Sequence, residues 1–410
     1  MEFIADFHIH SKYSRATSRN MDIKNLAEWA KLKGISLMGT GDFTHHLWLE
    51  ELKANLEDCG NGLYAYNGIS FILTAEVSSI YSKKGRSYRI HNLIFAPSFK
   101  VVDQINDTLG RIGNLSSDGR PILGLDAAEL ARIVFDIDEN CMLIPGHIWT
   151  PWFSLFGSMS GFDRIEDCFE DQTSKIFALE TGLSSDPAMN WRLSALDKFT
   201  LISNSDSHSP QKIGREANVF NCALDYNEIR QALKTKDKDK FLYTIEFFPE
   251  EGKYHFDGHR LCGVRWSPQE TKKHSGKCPK CGKKVTVGVL NRVESLADRP
   301  EGFKPADAIP FINLIPLDEI IADAKGVGKA SVAVERDYRS MIAKFGTEFE
   351  ILKRVPKEEL LKGLASKIAE GILRVRERRV NIKAGFDGEY GKISIFEDKE
   401  TEKEEQLRLF

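Results

Sequence analysis

The chain has 410 residues, 41% of them hydrophobic and 29% charged, with a net charge of −3. That is apolar surface enough for two or three domains, and a near-neutral balance that leaves any nucleic-acid contact to local basic patches. No apolar run reaches about 18 residues and no repeat of about 20 to 50 residues recurs, which excludes helical membrane spans and solenoids. Seven cysteines, four of them scattered, and a start from Met1 to His10 without a basic and apolar leader pattern lead us to expect a cytoplasmic protein.

From Met1 to about residue 235, short apolar runs alternate with helix-like stretches. The runs are Phe3 to Phe7, Ile35 to Met38, Ile69 to Thr74, Asn92 to Ala96, Met142 to Ile144, Ile176 to Leu179 and Thr200 to Ile202. Between the first two, Ile23, Leu26, Ala27 and Ala30 recur at helical spacing and Gly34 is placed to end the helix. The alternation predicts an α/β fold with a parallel sheet. Polar residues at the strand ends favour its closing into a barrel, with an open sheet as the alternative.

Those strand ends carry the chemistry: Asp6, His8 and His10; Asp42; Glu76; His147; Glu180; Asp206 with His208. His91 opens its run rather than closing it. Side chains alternate along a strand, so His8 and His10 face one side and can share a cation, with Asp206 completing that site. Glu76 is placed to bridge to a second cation held by His91 and His147. Imidazoles mixed with carboxylates suit zinc, manganese or iron better than calcium. Paired ions of this kind serve phosphoester cleavage.

These motifs, Asp6-Phe7-His8-Ile9-His10-Ser11, Gly41-Asp42, Glu76, His91, Gly146-His147 and Ser205-Asp206-Ser207-His208, resemble the ordered motifs of the PHP family of metal-dependent phosphoesterases. The resemblance covers residues 1 to 235 and implies a distorted seven-stranded β/α barrel holding two or three ions, Zn2+, Mn2+ or Mg2+. His8, His10, Glu76, His91, His147, Asp206 and His208 are then the catalytic set, with Asp42 as a further ligand. Where the family pattern places histidines for a third ion, this chain reads Tyr13-Ser14-Arg15 and Asp42-Phe43; His208 remains, and Asp42, His45 or His46 is left to compensate.

Residues 250–295 form a separate small module. His259-x-x-Cys262, fifteen residues, then Cys278-Pro-Lys-Cys281-Gly282 has the spacing of a zinc ribbon. His259 is the chosen fourth ligand, with His255 and His274 nearby. From Arg260 to Arg292 nine lysines and arginines face one acid, Glu270, a patch suited to phosphate backbones and including Lys272 and Lys273. Trp266 is a base-stacking or a core residue.

Residues 305–396 read as mainly helical. Lys325-Gly326-Val327-Gly328-Lys329 resembles the turn of a helix-hairpin-helix, whose Gly326 and Gly328 amides would hold a phosphate; an ordinary interhelical turn is the alternative. Gly385 to Phe396 reads as a hairpin around Asp387-Gly388. In the tail, 397–410, Gln406-Leu407-Arg408-Leu409-Phe410 returns to apolar residues after a charged stretch. It resembles a sliding-clamp docking motif, against the alternative of a tail folded back on its own domain.

The whole order, together with Gly39-Thr-Gly-Asp42, Thr150-Pro-Trp152 and Gly385-Phe-Asp-Gly-Glu-Tyr-Gly391, resembles the endonuclease Q family of repair nucleases. That implies cutting DNA 5′ to hypoxanthine, uracil or an abasic site by two-metal catalysis, leaving 3′-hydroxyl and 5′-phosphate ends. Ser11, Tyr13, Ser14, Trp149, Trp152 and Arg215, near the cluster in sequence, are candidates to line a base pocket or hold the backbone. The expected partners are damaged DNA and, through Gln406 to Phe410, the sliding clamp, with no membrane and a monomeric state. The rival readings are a small-molecule phosphatase of the histidinol-phosphatase type and a non-catalytic, polymerase-accessory DNA-binding module.

Overall fold

In the computed structural model residues 2–396 are described, and the Gln406 to Phe410 motif lies outside the described residues. The first strand, Glu2–Asp6, sits in the middle of a mixed sheet. On one side it pairs in parallel with Leu37–Gly39, which pairs in parallel with Ile69–Lys83. On the other it pairs antiparallel with Ala217–Asn221, followed by Phe241–Glu246 and Phe311–Asn313. No helix among the described residues is long and apolar enough to cross a membrane.

The expectation of an all-parallel sheet is corrected at Ile69–Lys83. Lys84 and Gly85 both adopt positive φ, 51° and 77°, the conformation of a two-residue hairpin turn. Two residues cannot house a helical crossover, so Arg86–Ala96 returns antiparallel, pairing Glu76 with Leu93 and Ser78 with His91. Met142–Pro145 then pairs antiparallel with that returning strand. Because Arg86–Ala96 runs the other way, its earlier residues lie at the end where the other strands finish. This is why His91 opens its apolar run and still reaches the same site.

Ala178–Glu180 and Thr200–Ile202 pair with each other in parallel, and side chains join them to the rest. Asn204 accepts from the Phe7 amide at 2.9 Å, and Asn218 accepts from the Ser203 amide at 3.0 Å while donating to the Ser203 carbonyl at 2.7 Å. The His10 amide donates to the Ser207 carbonyl at 2.9 Å, next to an isolated bridge between Ile9 and Ser207. Beneath the site the interior is aromatic: Phe3 stacks on Phe220 with centroids 5.5 Å apart, and Phe7 meets Phe95 edge-on at 5.6 Å.

The first helix, Ile23–Lys33, buries Ile23, Leu26, Ala27 and Ala30 and ends at Gly34 with φ 89°. Gly34 is doubly constrained, since a Cβ there would lie 2.6 Å from the Thr347 hydroxyl oxygen. Thr347 caps helix Glu348–Lys353, so the glycine brings the barrel and the helical region together. That region comprises Leu317–Lys325, Val332–Phe345, Glu348–Lys353, Lys357–Gly363 and Ser366–Arg376, followed by an antiparallel pair, Asn381–Lys383 with Lys392–Ser394. Asp387 and Gly388 form its inner turn with φ 44° and 89°. The small module is a hairpin, Asp257–His259 with Val264–Trp266, a short helix Pro268–Lys273 closed by a Ser267–Glu270 capping box, and a core of Val264, Cys278 and Val285.

One buried ion pair ties barrel to helices. Lys33 Nζ lies 2.9 Å from Glu348 Oε2, which also accepts from Tyr338 Oη at 2.7 Å, while Glu348 Oε1 accepts from the Leu317 amide at 3.0 Å. Removing one partner strands a buried charge, so Lys33→Ala is expected to lower the free energy of unfolding by about 3–5 kcal/mol in urea titrations. Lys33→Met combined with Glu348→Gln should recover most of that loss; a double variant as unstable as the single one would contradict the assignment.

Candidate metal centre

Strand geometry puts His8 and His10 on one face immediately after Glu2–Asp6, and both rings are buried. Each is oriented through Nδ1 by a carboxylate: His8 by Glu180 at 3.0 Å, and His10 by Asp42 at 3.0 Å. Each therefore turns Nε2 inward, toward Glu76 and Asp206. His10 Nε2 lies 3.2 Å from Glu76 Oε2 and 3.0 Å from Asp206 Oδ1, and His8 Nε2 lies 3.5 Å from each. Yet His8 Nε2, His10 Nε2 and Asp206 Oδ1 are buried with no hydrogen-bond partner. Unpaired buried polar atoms converging on one point are what a cation site requires.

A second group shares the same carboxylate. Glu76 Oε1 lies 2.6 Å from His91 Nδ1 and 3.1 Å from His147 Nε2, and those two nitrogens are 3.1 Å apart. Within each group the candidate ligand atoms, those of His8, His10, Glu76 and Asp206 and those of Glu76, His91 and His147, lie within 4.8 Å of one another. The residues thus fit two cations bridged by Glu76.

The electrostatics are those of a preformed cation site. Burial disfavours the charged Glu76 carboxylate, but His91, the Arg120 guanidinium and His8 override it and hold the group well below the usual range. Burial outweighs the pull of Glu76 and lowers His91 to about 4. For His8 burial opposes charge, and Glu180, Asp206 and Glu76 override it, holding its pKa well above 6.5. A proton held this way would leave when a cation arrives.

Backbone strain gathers here. Asp42, His147 and Asp206 all have positive φ, 48°, 29° and 46°, a conformation that costs a non-glycine residue free energy and persists where surrounding bonds over-determine it. Gly182 permits the His147 turn, since a Cβ on it would lie 2.4 Å from the His147 Cβ.

Two expected barrel ligands stand elsewhere. Asp42 does not reach the cluster: its carboxylate accepts from the Ser11 amide at 2.6 Å, the Ser11 hydroxyl at 2.7 Å, the Ser14 hydroxyl at 2.9 Å and the His10 ring. It is a positioning group for His10, and Ser11 and Ser14 are consumed in holding it. His208 lies at the mouth, its ring 4.6 Å from that of His10 and its Nδ1 bonded to the Asp206 carbonyl at 2.9 Å.

Among the DNA candidates, Trp149 is fully buried, and its indole N–H donates to Asn190 at 2.7 Å. It is a core residue, contrary to the expectation from its place beside His147. The Tyr13 hydroxyl donates to Glu51 at 2.6 Å and its ring stacks on His45. Trp152 and Arg215 share the lining of one cavity of about 570 Å3 with Arg89, Phe153, Tyr254 and Tyr390. Its wall reaches the cluster, since the Phe153 ring is 4.9 Å from that of His91. Lys272 and Lys273 are exposed on their helix. Gly326 caps helix Leu317–Lys325 with φ 66°, and the space beside Gly326 and Gly328 is open.

Sequence reasoning missed Arg120, whose guanidinium lies 3.2 Å from Glu76 Oε2. The loop that carries it is pressed onto the site at Gly119, where a Cβ would lie 2.3 Å from Asp42 Oδ2. No periodic signal marks that loop. Glu180, noted only as a polar strand end, proves to be the partner of His8.

In the small module the ligand atoms of His259, Cys262, Cys278 and Cys281 also lie within 4.8 Å of one another. The other two histidines are engaged differently: His255 is buried, and His274 stacks on Trp266 with centroids 4.4 Å apart.

Residues 316–379 match the family model described as the MJ0043 C-terminal domain. The chain is 35% identical over 287 residues to the uncharacterized protein MJ0043 of Methanocaldococcus jannaschii, a match covering 66% of this chain and 35% of that relative's length. It is 30% identical over 410 residues to the uncharacterized protein YqxK of Bacillus subtilis, covering 95% of this chain and 98% of YqxK. Among solved structures, the lesion-specific endonuclease PfuEndoQ from Pyrococcus furiosus superimposes with a TM-score of 0.87 at 35% identity, covering 100% of this chain and 99% of that one. Endonuclease Q in complex with a 27-mer duplex carrying an abasic lesion at the active site gives 0.86 at 35% identity, covering 97% and 98%.

Metal analysis separates ligands from positioning groups. Asp206→Ala should abolish binding at the first barrel site, whereas Asp42→Asn should keep the stoichiometry with affinity weakened about 10- to 100-fold. Equal loss in the two variants would contradict the division.

Proposed function

The chain belongs to the endonuclease Q family of metal-dependent DNA endonucleases, and from that premise we propose that it cuts DNA 5′ to a hypoxanthine, a uracil or an abasic site, leaving 3′-hydroxyl and 5′-phosphate ends. The observation that carries the reading is the cavity of about 570 Å3 beside the cluster, whose lining combines Trp152, Phe153 and Tyr254 with Arg89 and Arg215. Aromatic faces receive an unstacked base, and the cations hold the phosphates on either side of it.

His8, His10, Glu76 and Asp206 would hold one ion, and Glu76, His91 and His147 a second. When bound, such a pair supplies an activated water and stabilises the departing oxygen. The protein's own part is to fix the rings through Glu180 and Asp42, to exclude bulk water from the floor of the site, and to set Arg120 where a non-bridging phosphate oxygen would arrive. His208, at the mouth and one-third exposed on its side chain, is placed to exchange a proton with solvent. The His259, Cys262, Cys278 and Cys281 set would hold a structural zinc, and the Gly326 to Gly328 turn would contact the backbone away from the lesion. The protein would act as a monomer, with Gln406 to Phe410 docking it on a sliding clamp.

Deamination turns an exocyclic amine into a carbonyl in both hypoxanthine and uracil. A fixed N–H donor in the pocket would therefore accept both and be left unpaired against adenine or cytosine. Such a mismatch costs about 1–3 kcal/mol, or roughly 5- to 150-fold in rate. End-labelled duplexes carrying hypoxanthine, uracil, an abasic site or normal bases test this: cleavage on the 5′ side of the first three is expected. Equal cutting of adenine and hypoxanthine in matched contexts would overturn the lesion reading.

A further inference from the structure

Leu261 is 87% exposed, although it lies between two candidate ligands, His259 and Cys262, on a rigid support. The Gly263 amide donates to the Arg260 carbonyl at 2.9 Å, the Arg260 amide donates to Asp387 at 2.6 Å, and the strands on either side are paired. An apolar side chain on a loose loop can fold back to cover itself. Leu261, held on this support, stays in solvent until a partner covers it.

The surroundings select the partner. Arg260 beside it is exposed, and Lys280, Lys283 and Lys284 of the same small module are exposed as well. An apolar protein surface would have to desolvate these cations, whereas nucleic-acid phosphates neutralise them and the base stack offers apolar cover between them.

Its position is tied to the cavity. Arg260 Nη1 and Tyr254 Oη lie 3.6 Å and 3.7 Å from the point a Cβ on Gly388 would occupy, so both flank the Asp387-Gly388 turn. Tyr254 meets Trp152 edge-on with centroids 5.4 Å apart, and both line the cavity beside the cluster. A line of contacts therefore runs from Phe153, beside His91, through Trp152 and Tyr254 to the Gly388 turn and Arg260, the chain neighbour of Leu261.

We propose that Leu261 is a wedge that enters the DNA base stack and fills the gap left by the extruded lesion, while Arg260 and the neighbouring lysines hold the flanking phosphates. This rests on the nuclease reading above. A base turned out of a duplex returns unless something occupies its place, and a short side chain on a fixed tip can do so with little ordering of its own.

The test compares a uracil in a paired duplex with the same uracil in a single strand, which has no stack to hold open. Leu261→Ala is expected to slow cutting of the duplex roughly tenfold or more, the unstacking cost being the part lost, and to leave the single strand cut at the wild-type rate, with Leu261→Met restoring the duplex rate. In parallel, 2-aminopurine beside the lesion, in a duplex with a non-hydrolysable scissile linkage, should brighten with the wild type and less with Leu261→Ala. Unchanged duplex cutting, or an equal loss on both substrates, would overturn the wedge. A wild-type protein that cuts neither substrate would overturn the nuclease reading itself, and the wedge with it.

Discussion

The site depends on one carboxylate. Glu76 is 1% exposed, yet it lies within 3.5 Å of the rings of His8, His10, His91 and His147 and of the Arg120 guanidinium. A carboxylate buried without such partners would take up a proton and cease to attract cations. With them it stays charged, and both of its oxygens face donors from different strands. It sits on the long strand Ile69–Lys83, which pairs through Glu76 with Leu93 of Arg86–Ala96 and, nearer its start, with Leu37–Gly39. The candidate ligands of both barrel groups converge on this carboxylate.

The surrounding architecture keeps this arrangement from relaxing. Glu180 holds His8 and also accepts from the His147 amide at 2.7 Å and from Asn204 at 2.8 Å, so one side chain couples three strand ends. Asp6 does similar work beneath Asp206, accepting from the Ser205 amide and hydroxyl and from the Gly214 amide. The positive-φ residues Asp42, His147 and Asp206 are tolerated because bonds of this kind leave them no alternative. Outside the barrel, Asp387 joins the hairpin to the small module by accepting from the Arg260 amide and the Thr286 hydroxyl. The module with its exposed lysines is thereby fixed beside the cavity.

Much of the site was legible because it follows local periodicities. The His8 and His10 pair follows from the period of two in a strand, and the spacing of His259, Cys262, Cys278 and Cys281 marks the knuckle without any tertiary knowledge. The antiparallel return of Arg86–Ala96 was within reach as well, since Lys84-Gly85 is a two-residue turn signal between β-rich segments. What the sequence hid is set by long-range packing. Arg120 reaches Glu76 only because Gly119 presses against Asp42, and nothing around Arg120 records that approach. Trp149 misled because nearness to His147 along the chain says nothing about which way a side chain points. Asp42 ends its strand as a ligand would, but Ser11 and Ser14 occupy its carboxylate and leave it a support.

Under the proposed function, Glu76 would be shared by two ions on which cleavage of lesion-bearing DNA would depend. Glu76→Gln keeps the shape of the side chain and removes its charge, so bound ions are counted in this variant while it is assayed on an abasic-site duplex. Loss of both barrel ions, retention of an ion at the cysteine knuckle and no cutting 5′ to the lesion are expected. A variant that still cuts at the wild-type rate in the presence of a chelator would contradict this expectation.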